Sequence, residues 1–326
     1  MGGISVILCC YNSSKRLPKT LKYLANQKVS KNLNWELVLV NNNSSDNTSI
    51  VAQKLWENYD TDVPLNIVDE SKAGLSFARD KGIKTAKFDI LLFCDDDNWL
   101  DSNYIDNVFD KFKKHPNLGA VGGWCDAVFE GEKPEWFDLF SGNFAVGRPM
   151  EKSGFLEKPN SYLYGAGMAL SRQAYKHLVK KGFKNILTDR KGKQLSSGGD
   201  VELIYALRLI GYDVYFDDEL HFYHYMPDQR MSWEYLNRLR ESMYWSNFVL
   251  GIYIDVQMHN SLTTKRLSKK IKNDTLFIVR KTNDLKKLDK FKVLFLKNQI
   301  EVRKLFLKNI LFYLRSRKKI KLLRKE

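Results

Sequence analysis

The chain has 326 residues, 44% hydrophobic and 13% aromatic, which is enough apolar surface for a substantial core and excludes a wholly disordered chain. No run of eighteen apolar residues occurs, so no membrane-spanning helix is expected. The net charge of +15 is uneven: residues 261–326 carry 22 Lys+Arg against 5 Asp+Glu, and residues 1–260 carry 31 against 33. An anionic partner surface would therefore be met by the C-terminal tail.

Residues 4–9 (Ile-Ser-Val-Ile-Leu-Cys) read as a strand, ended by the polar run Tyr11, Asn12, Ser13, Ser14. A helix over about 16–26 follows, with Leu17, Leu21 and Leu24 at helical spacing. Strands are predicted over 35–40, 65–69 and 89–94, and helices over about 48–59 and 74–86. Strands alternating with helices at this spacing predict a parallel, doubly wound α/β sheet. Further strands are expected at 119–124 and 164–170. Their glycines suggest close backbone approach to a ligand, or only relief of packing. The aromatic segment 129–155 between them is expected to be irregular, as binding loops commonly are. A helix over 200–210 ends at Gly211, a short strand covers 213–216, and the chain is predominantly helical from Trp233 onward. The predicted division is one α/β region over 1–230 and a basic helical extension over 231–326.

The most informative junction is Ile90-Leu91-Leu92-Phe93-Cys94 running into Asp95-Asp96-Asp97. It reads as a buried strand whose carboxyl end opens into a site, where open α/β sheets bind ligands. Three adjacent carboxylates repel one another unless a cation sits among them. Hard oxygen ligands suit Mg²⁺ or Mn²⁺, usually shared with a substrate phosphate. The alternative is a solvated turn in which Asp97 or Asn98 caps a following helix. Cys9, Cys10, Cys94 and Cys125 show no metal-ligand spacing, and reduced core thiols fit a cytoplasmic protein. The start lacks the basic and apolar regions of a signal peptide.

Five segments in order carry a resemblance: 5–12, 36–44, 74–82, the Asp95–Asp97 motif, and 198–203 (Gly-Gly-Asp-Val-Glu-Leu). Together they resemble the inverting, metal-dependent glycosyltransferases of family 2, over roughly residues 4–240. The segment 222–235 also looks like a bacterial subgroup associated with surface-polysaccharide assembly. The resemblance implies a GT-A fold, a Rossmann-like, mostly parallel open sheet flanked by helices. It implies a metal-dependent transferase of hexosyl type moving a sugar from a nucleotide diphosphate, UDP favoured, to a hydroxyl of a glycan or lipid-linked acceptor.

Carried over residue by residue, Cys9, Tyr11 and Asn12 would line the nucleobase pocket, Tyr11 stacking on the ring. Asn42 stands where the family commonly has Asp, and its amide oxygen would accept a uracil N–H. Arg79 would sit near base and ribose, with Asp80 replacing the family's Asn. Asp95 and Asp96 would hold the ribose and the metal's outer shell, Asp97 would bind Mn²⁺ or Mg²⁺ directly, and His224 would contact the metal or diphosphate. Asp200 would be the general base, although the usual Glu-Asp pair is Gly199-Asp200 here; Glu202 would assist or be an ordinary first-turn carboxylate.

Each assignment has a plainer counterpart in the residues themselves. Asn41-Asn42-Asn43 would be a turn, Arg79 a solvated helix residue, His224 a satisfied core histidine, and Asp200 a helix N-cap. Between 291 and 323, apolar residues interleave with Lys and Arg, reading either as a segment that docks on an anionic membrane surface or as a packing helix with a solvated basic face. A peripheral location at the inner face of the membrane follows from the first, and no base-reading motif suggests nucleic acid. The second function class is a non-catalytic sugar-nucleotide or membrane-surface binding protein, prompted by Asn42, Asp80 and Gly199.

Overall fold

The computed structural model describes residues 2–190, 195 and 197–324. Met1, the start of the predicted α/β region, and residues 325–326, the end of the predicted extension, lie outside the described residues.

The N-terminal half alternates as β1 (Ile4–Cys10), α1 (Leu17–Ala25), β2 (Trp35–Asn41), α2 (Thr48–Glu57), β3 (Leu65–Asp69), α3 (Leu75–Thr85) and β4 (Ile90–Asp95). The reason is visible in the strands. β1, β2 and β4 are mostly apolar runs buried on both faces, as parallel strands under helices must be, and the buried Ser5 donates to Glu36 Oε1 at 2.7 Å. Val6, Leu8, Leu37, Leu39 and Leu92 point to one layer with Leu21, Trp56 and Phe112. Their neighbours Ile7, Val38, Val40, Leu91 and Phe93 point to the other with Ala78, Ile204 and Phe248.

Past the acidic triplet come β5 (Asn98–Leu100), α4 (Tyr104–Lys114), β6 (Leu118–Phe129), α5 (Phe137–Phe140), β7 (Gly154–Phe155), β8 (Ala169–Ser171), α6 (Arg172–Lys180), α7 (Gly199–Leu209) and β9 (Asp213–Met226). The sheet order is β3-β2-β1-β4-β8-β6-β9-β5, with β7 also on β9. β1 to β4 pair in parallel, β8 runs antiparallel to β4 and β6, and β6 and β9 are parallel.

Two differences from the sequence reading bear on the site. Asn98 starts a strand, not a helix, so the triplet is not an N-cap. The short strand expected at 213–216 continues to Met226, because its alternating burial lets one face pack inward while the other stays partly wet. This long β9 pairs antiparallel with β5, setting His224 opposite Asn98.

The C-terminal part is helical: α8 (Trp233–Met258), α9 (Thr264–Asp284), α10 (Lys290–Lys308) and α11 (Ile310–Leu322). The basic amphipathic run packs inward. Phe306, Tyr313 and Ile320 are buried in the same apolar cluster as Ile7 and Val38 of the sheet. Arg317 pairs with Asp255 of α8 at 2.6 Å, and Tyr313 Oη donates to the same carboxylate at 2.9 Å. Among the described residues, no helix is long and apolar enough to cross a membrane. Phe306→Ala should cost about 3–5 kcal/mol, as a large buried truncation does. Because the cluster is shared, the loss should appear as one downshifted thermal transition for the whole chain; two separate transitions would show that the tail melts independently.

Candidate active site

A cavity of about 790 Å³ opens at the carboxyl ends of β1 and β4. Its size falls within the range of small-molecule sites. Cys9, Tyr11, Asn42, Arg79, Asp95, Asp96, Asp97, Asp200 and His224 all line it, together with Arg16, Asp189, Arg190 and Arg230. Asn12 does not. Its backbone is left-handed at φ 48°, and its Oδ1 accepts from the Ser45 backbone N–H at 2.8 Å, so it ties two loops together behind the cavity wall.

The acidic turn is held from three directions. Arg16 donates to Asp96 Oδ2 at 2.6 Å, and Thr20 Oγ1 donates to the Asp96 carbonyl at 2.8 Å. Fully buried Asn98 accepts from the Asp95 N–H at 3.2 Å and donates to Asp97 Oδ1 at 3.3 Å. β9 then brings His224 Nε2 to 3.6 Å from Asp97 Oδ1, while Arg230, just beyond that strand, reaches Asp97 Oδ2 at 3.3 Å. Burial alone would raise the Asp97 pKa, but His224 and then Arg230 outweigh it and hold the carboxyl below its ordinary range. Asp96 goes the other way, raised by burial and by the charge of Asp97 against the pull of Arg16. Asp95 is raised too, chiefly by burial.

Among the described residues, no group of three or more His, Cys, Asp or Glu side chains is arranged to hold a metal ion by itself. The fit to a divalent ion rests on two groups. Asp97 and His224 present an anionic oxygen and an imidazole nitrogen 3.6 Å apart, near the ~3 Å between adjacent ligands of an octahedral ion with 2.0–2.1 Å bonds. His224 Nδ1 is buried with no hydrogen-bond partner. An ion needing one or two protein ligands plus substrate phosphates fits this arrangement.

Asp200, which also lines the cavity, sits in the first turn of α7, where its Oδ1 accepts from the Val201 N–H at 2.8 Å. A β-carbon at Gly165 would overlap Asp200 Oδ2, so that glycine makes room for the carboxylate. Burial, and then the charge of Asp189, raise the Asp200 pKa, with Arg79 opposing. Arg79 is partly buried, not a freely solvated helix residue. It pairs with Asp189 at 3.1 Å and is held charged by Asp189, Asp95 and Asp200 in spite of its burial. Gly165→Ala should therefore slow turnover at least tenfold by displacing Asp200, with nucleotide affinity little changed; an unchanged turnover number would show that Asp200 tolerates the shift.

On the nucleoside side, Tyr11 is 54% exposed and free to stack on a ring. Burial pushes the Cys9 thiol up to about 12, so it is a neutral wall group. The Asn42 amide clamps a loop: it donates to the Glu70 and Lys72 carbonyls at 3.1 and 2.7 Å, and its oxygen accepts from the Gly74 N–H at 2.8 Å. One oxygen lone pair is left for a ligand.

Glu202 is fully buried and accepts from the Ile186 and Leu187 N–H groups and from Tyr253 Oη. It does not line the cavity; it anchors the segment leading to Asp189. His221 also lies off the cavity, its ring nitrogens 2.8 and 3.2 Å from Asp101 and Asp126. Asp80 faces Tyr175 at 3.4 Å, not the cavity.

Sequence reasoning missed Arg16, Asn98, Asp189 and Arg190. A solitary Asp-Arg in a loop carries no spacing signal; only the fold brings it to α3, where Leu75 N–H donates to the Arg190 carbonyl at 3.1 Å.

Comparison with known proteins adds three findings. The family model described as glycosyl transferase family 2 matches residues 5–179. Poly-beta-1,6-N-acetyl-D-glucosamine synthase of Staphylococcus aureus strain COL is 34% identical over 122 residues, and the Staphylococcus epidermidis protein of that name is 33% identical. Those matches cover 37% of this chain and 28% of the synthases. In structure, S. aureus TarS 1–349 in complex with UDP-GlcNAc superposes with a TM-score of 0.56 at 15% identity, covering 94% of this chain and 92% of that one. The same protein with UDP gives 0.53 at 17% identity, covering 99% and 89%. At such identity the likeness is one of fold, and that fold is GT-A.

Proposed function

The chain belongs to glycosyl transferase family 2, and from that premise we propose that it moves a sugar from a nucleoside-diphosphate donor to an acceptor hydroxyl by a single inverting displacement. The observation that carries this reading is one cavity lined by Asp97 with His224 and by Asp200 with Arg79. A UDP-sugar is the favoured donor, with UDP-N-acetylglucosamine the first to test, since the TarS complexes and the synthases point there. The acceptor is a growing glycan or a lipid-linked sugar in surface-polysaccharide assembly.

Tyr11 and Cys9 border the base, and Arg79 and Asp95 the ribose. Asp97 and His224 would hold Mn²⁺ or Mg²⁺; when bound, the ion neutralises charge on the leaving diphosphate. Arg230 and Arg190 add fixed positive charge beside the same group. Asp200, at the start of α7, takes the acceptor hydroxyl's proton as it attacks the anomeric carbon from the face opposite the diphosphate. The C1–O bond to the diphosphate breaks as the new C1–O bond forms, so no enzyme nucleophile is needed. Hydrolysis or transfer of UDP-N-acetylglucosamine by the purified chain with Mn²⁺ tests the reading. Binding of UDP-sugars with no turnover, under any acceptor tried, would favour the non-catalytic alternative.

A peripheral membrane location is part of the proposal, and the outer face of α9 supports it. Lys265, Lys269, Lys272 and Arg280 are exposed beside the exposed apolar Leu276 and Val279, the composition of a helix that lies on anionic lipid. Replacing the four cations with Glu should abolish flotation with phosphatidylserine vesicles while leaving the melting midpoint unchanged. Equal flotation of both proteins would remove α9 as the contact.

A further inference from the structure

Gly199 begins α7 with an ordinary helical backbone, where glycine costs about 0.5–1 kcal/mol relative to alanine and no left-handed angle demands it. The demand is spatial. A β-carbon there would lie 2.9 and 3.0 Å from the two carboxylate oxygens of Asp189. The Gly199 N–H itself donates to Asp189 Oδ1 at 3.1 Å, and Asp189 Oδ2 pairs with Arg79 at 3.1 Å. Asp189 is only 8% exposed, and the chain is held at its own backbone and just upstream of it. The Asp189 N–H donates to Ser76 Oγ at 3.3 Å on the first turn of α3, and Glu202 anchors Ile186 and Leu187.

We infer that Asp189 is a positioning residue for the transfer: its carboxylate fills the space against Gly199, and from there it fixes Arg79 in the cavity lined by Asp95 and Asp200. The inference rests on the reading of Asp200 as base, which it deepens. It also accounts for the Gly199 departure. Where the resemblance implies a Glu at 199, the carboxylate of Asp189, ten positions upstream, lies against Gly199.

Four full-length variants test this: Asp189→Ala, Gly199→Glu, the double variant, and Asp200→Asn. Asp189→Ala should lower kcat about 10²-fold, the cost of a misplaced catalytic group, and raise the donor KM as well, since Arg79 also borders the ribose. Gly199→Glu alone should also be slow, because its carboxylate collides with that of Asp189. The double variant should recover at least tenfold over Asp189→Ala, since it returns one carboxylate to the shared space. A crystal structure of Asp189→Ala should show Arg79 displaced. A parental kcat in Asp189→Ala, a double variant no faster than Asp189→Ala, or an undisplaced Arg79 would each overturn the inference. Parental turnover in Asp200→Asn would instead remove the base assignment, and the position of Arg79 would still decide the role of Asp189.

Discussion

Asp200→Asn should bind UDP-N-acetylglucosamine with near-parental affinity and lose turnover by ~10²–10⁴-fold, the usual worth of a general base. The amide keeps the shape of the side chain and can still accept from the Val201 N–H, so the α7 start should survive. What it cannot do is take a proton. The parental rate–pH profile supplies a second reading of the same group. Burial and the neighbouring Asp189 charge raise the Asp200 pKa, against the pull of Arg79 and of the Val201 and Gly165 N–H groups. The base works when deprotonated, so activity should fall as pH drops, and the acid limb should lie above the ordinary carboxylate range. Near-parental turnover in Asp200→Asn would remove Asp200 as the base.

Asp97→Ala should abolish Mn²⁺-dependent binding of nucleoside diphosphate and lower transfer on the order of 10³-fold, since charge neutralisation at the leaving group is worth several kcal/mol. The effect should exceed that of any single contact to base or ribose, because Asp97 is the carboxylate set beside both His224 and Arg230. The substitution also frees Arg230 and His224 from their partner, so an unchanged melting midpoint is the control for folding. Full parental activity in excess chelator would contradict the metal assignment whatever the variant does.

Much of the α/β half was legible because its chemistry is local. Buried parallel strands are mostly apolar runs, and their polar ends mark one edge of the sheet; β3 matches its predicted bounds, β1 and β2 run one residue longer, and β4 is shifted by one residue at both ends. β5, α4 and α6 escaped notice. β5 is three residues long, and its pairing with β9 spans more than a hundred positions. That one pairing assembles the proposed metal site: His224 and Arg230 meet Asp97 only because β9 runs on to Met226. The same holds for Asp189, which no spacing links to Arg79 110 positions away. In the tail, sequence could not separate a packing helix from a membrane-facing one, since both need apolar residues at helical spacing. Burial of Phe306, Tyr313 and Ile320 assigns those members of the stripe to the core, while Phe295, Leu311 and Leu322 stay exposed.

Diffraction above and below the manganese absorption edge, on crystals of the full chain soaked with Mn²⁺ and UDP, tests the account at its centre. An anomalous peak within bonding distance of Asp97 and His224, beside the bound UDP, is the predicted result. Bound UDP with no anomalous peak beside Asp97, or a peak lying elsewhere, would contradict it.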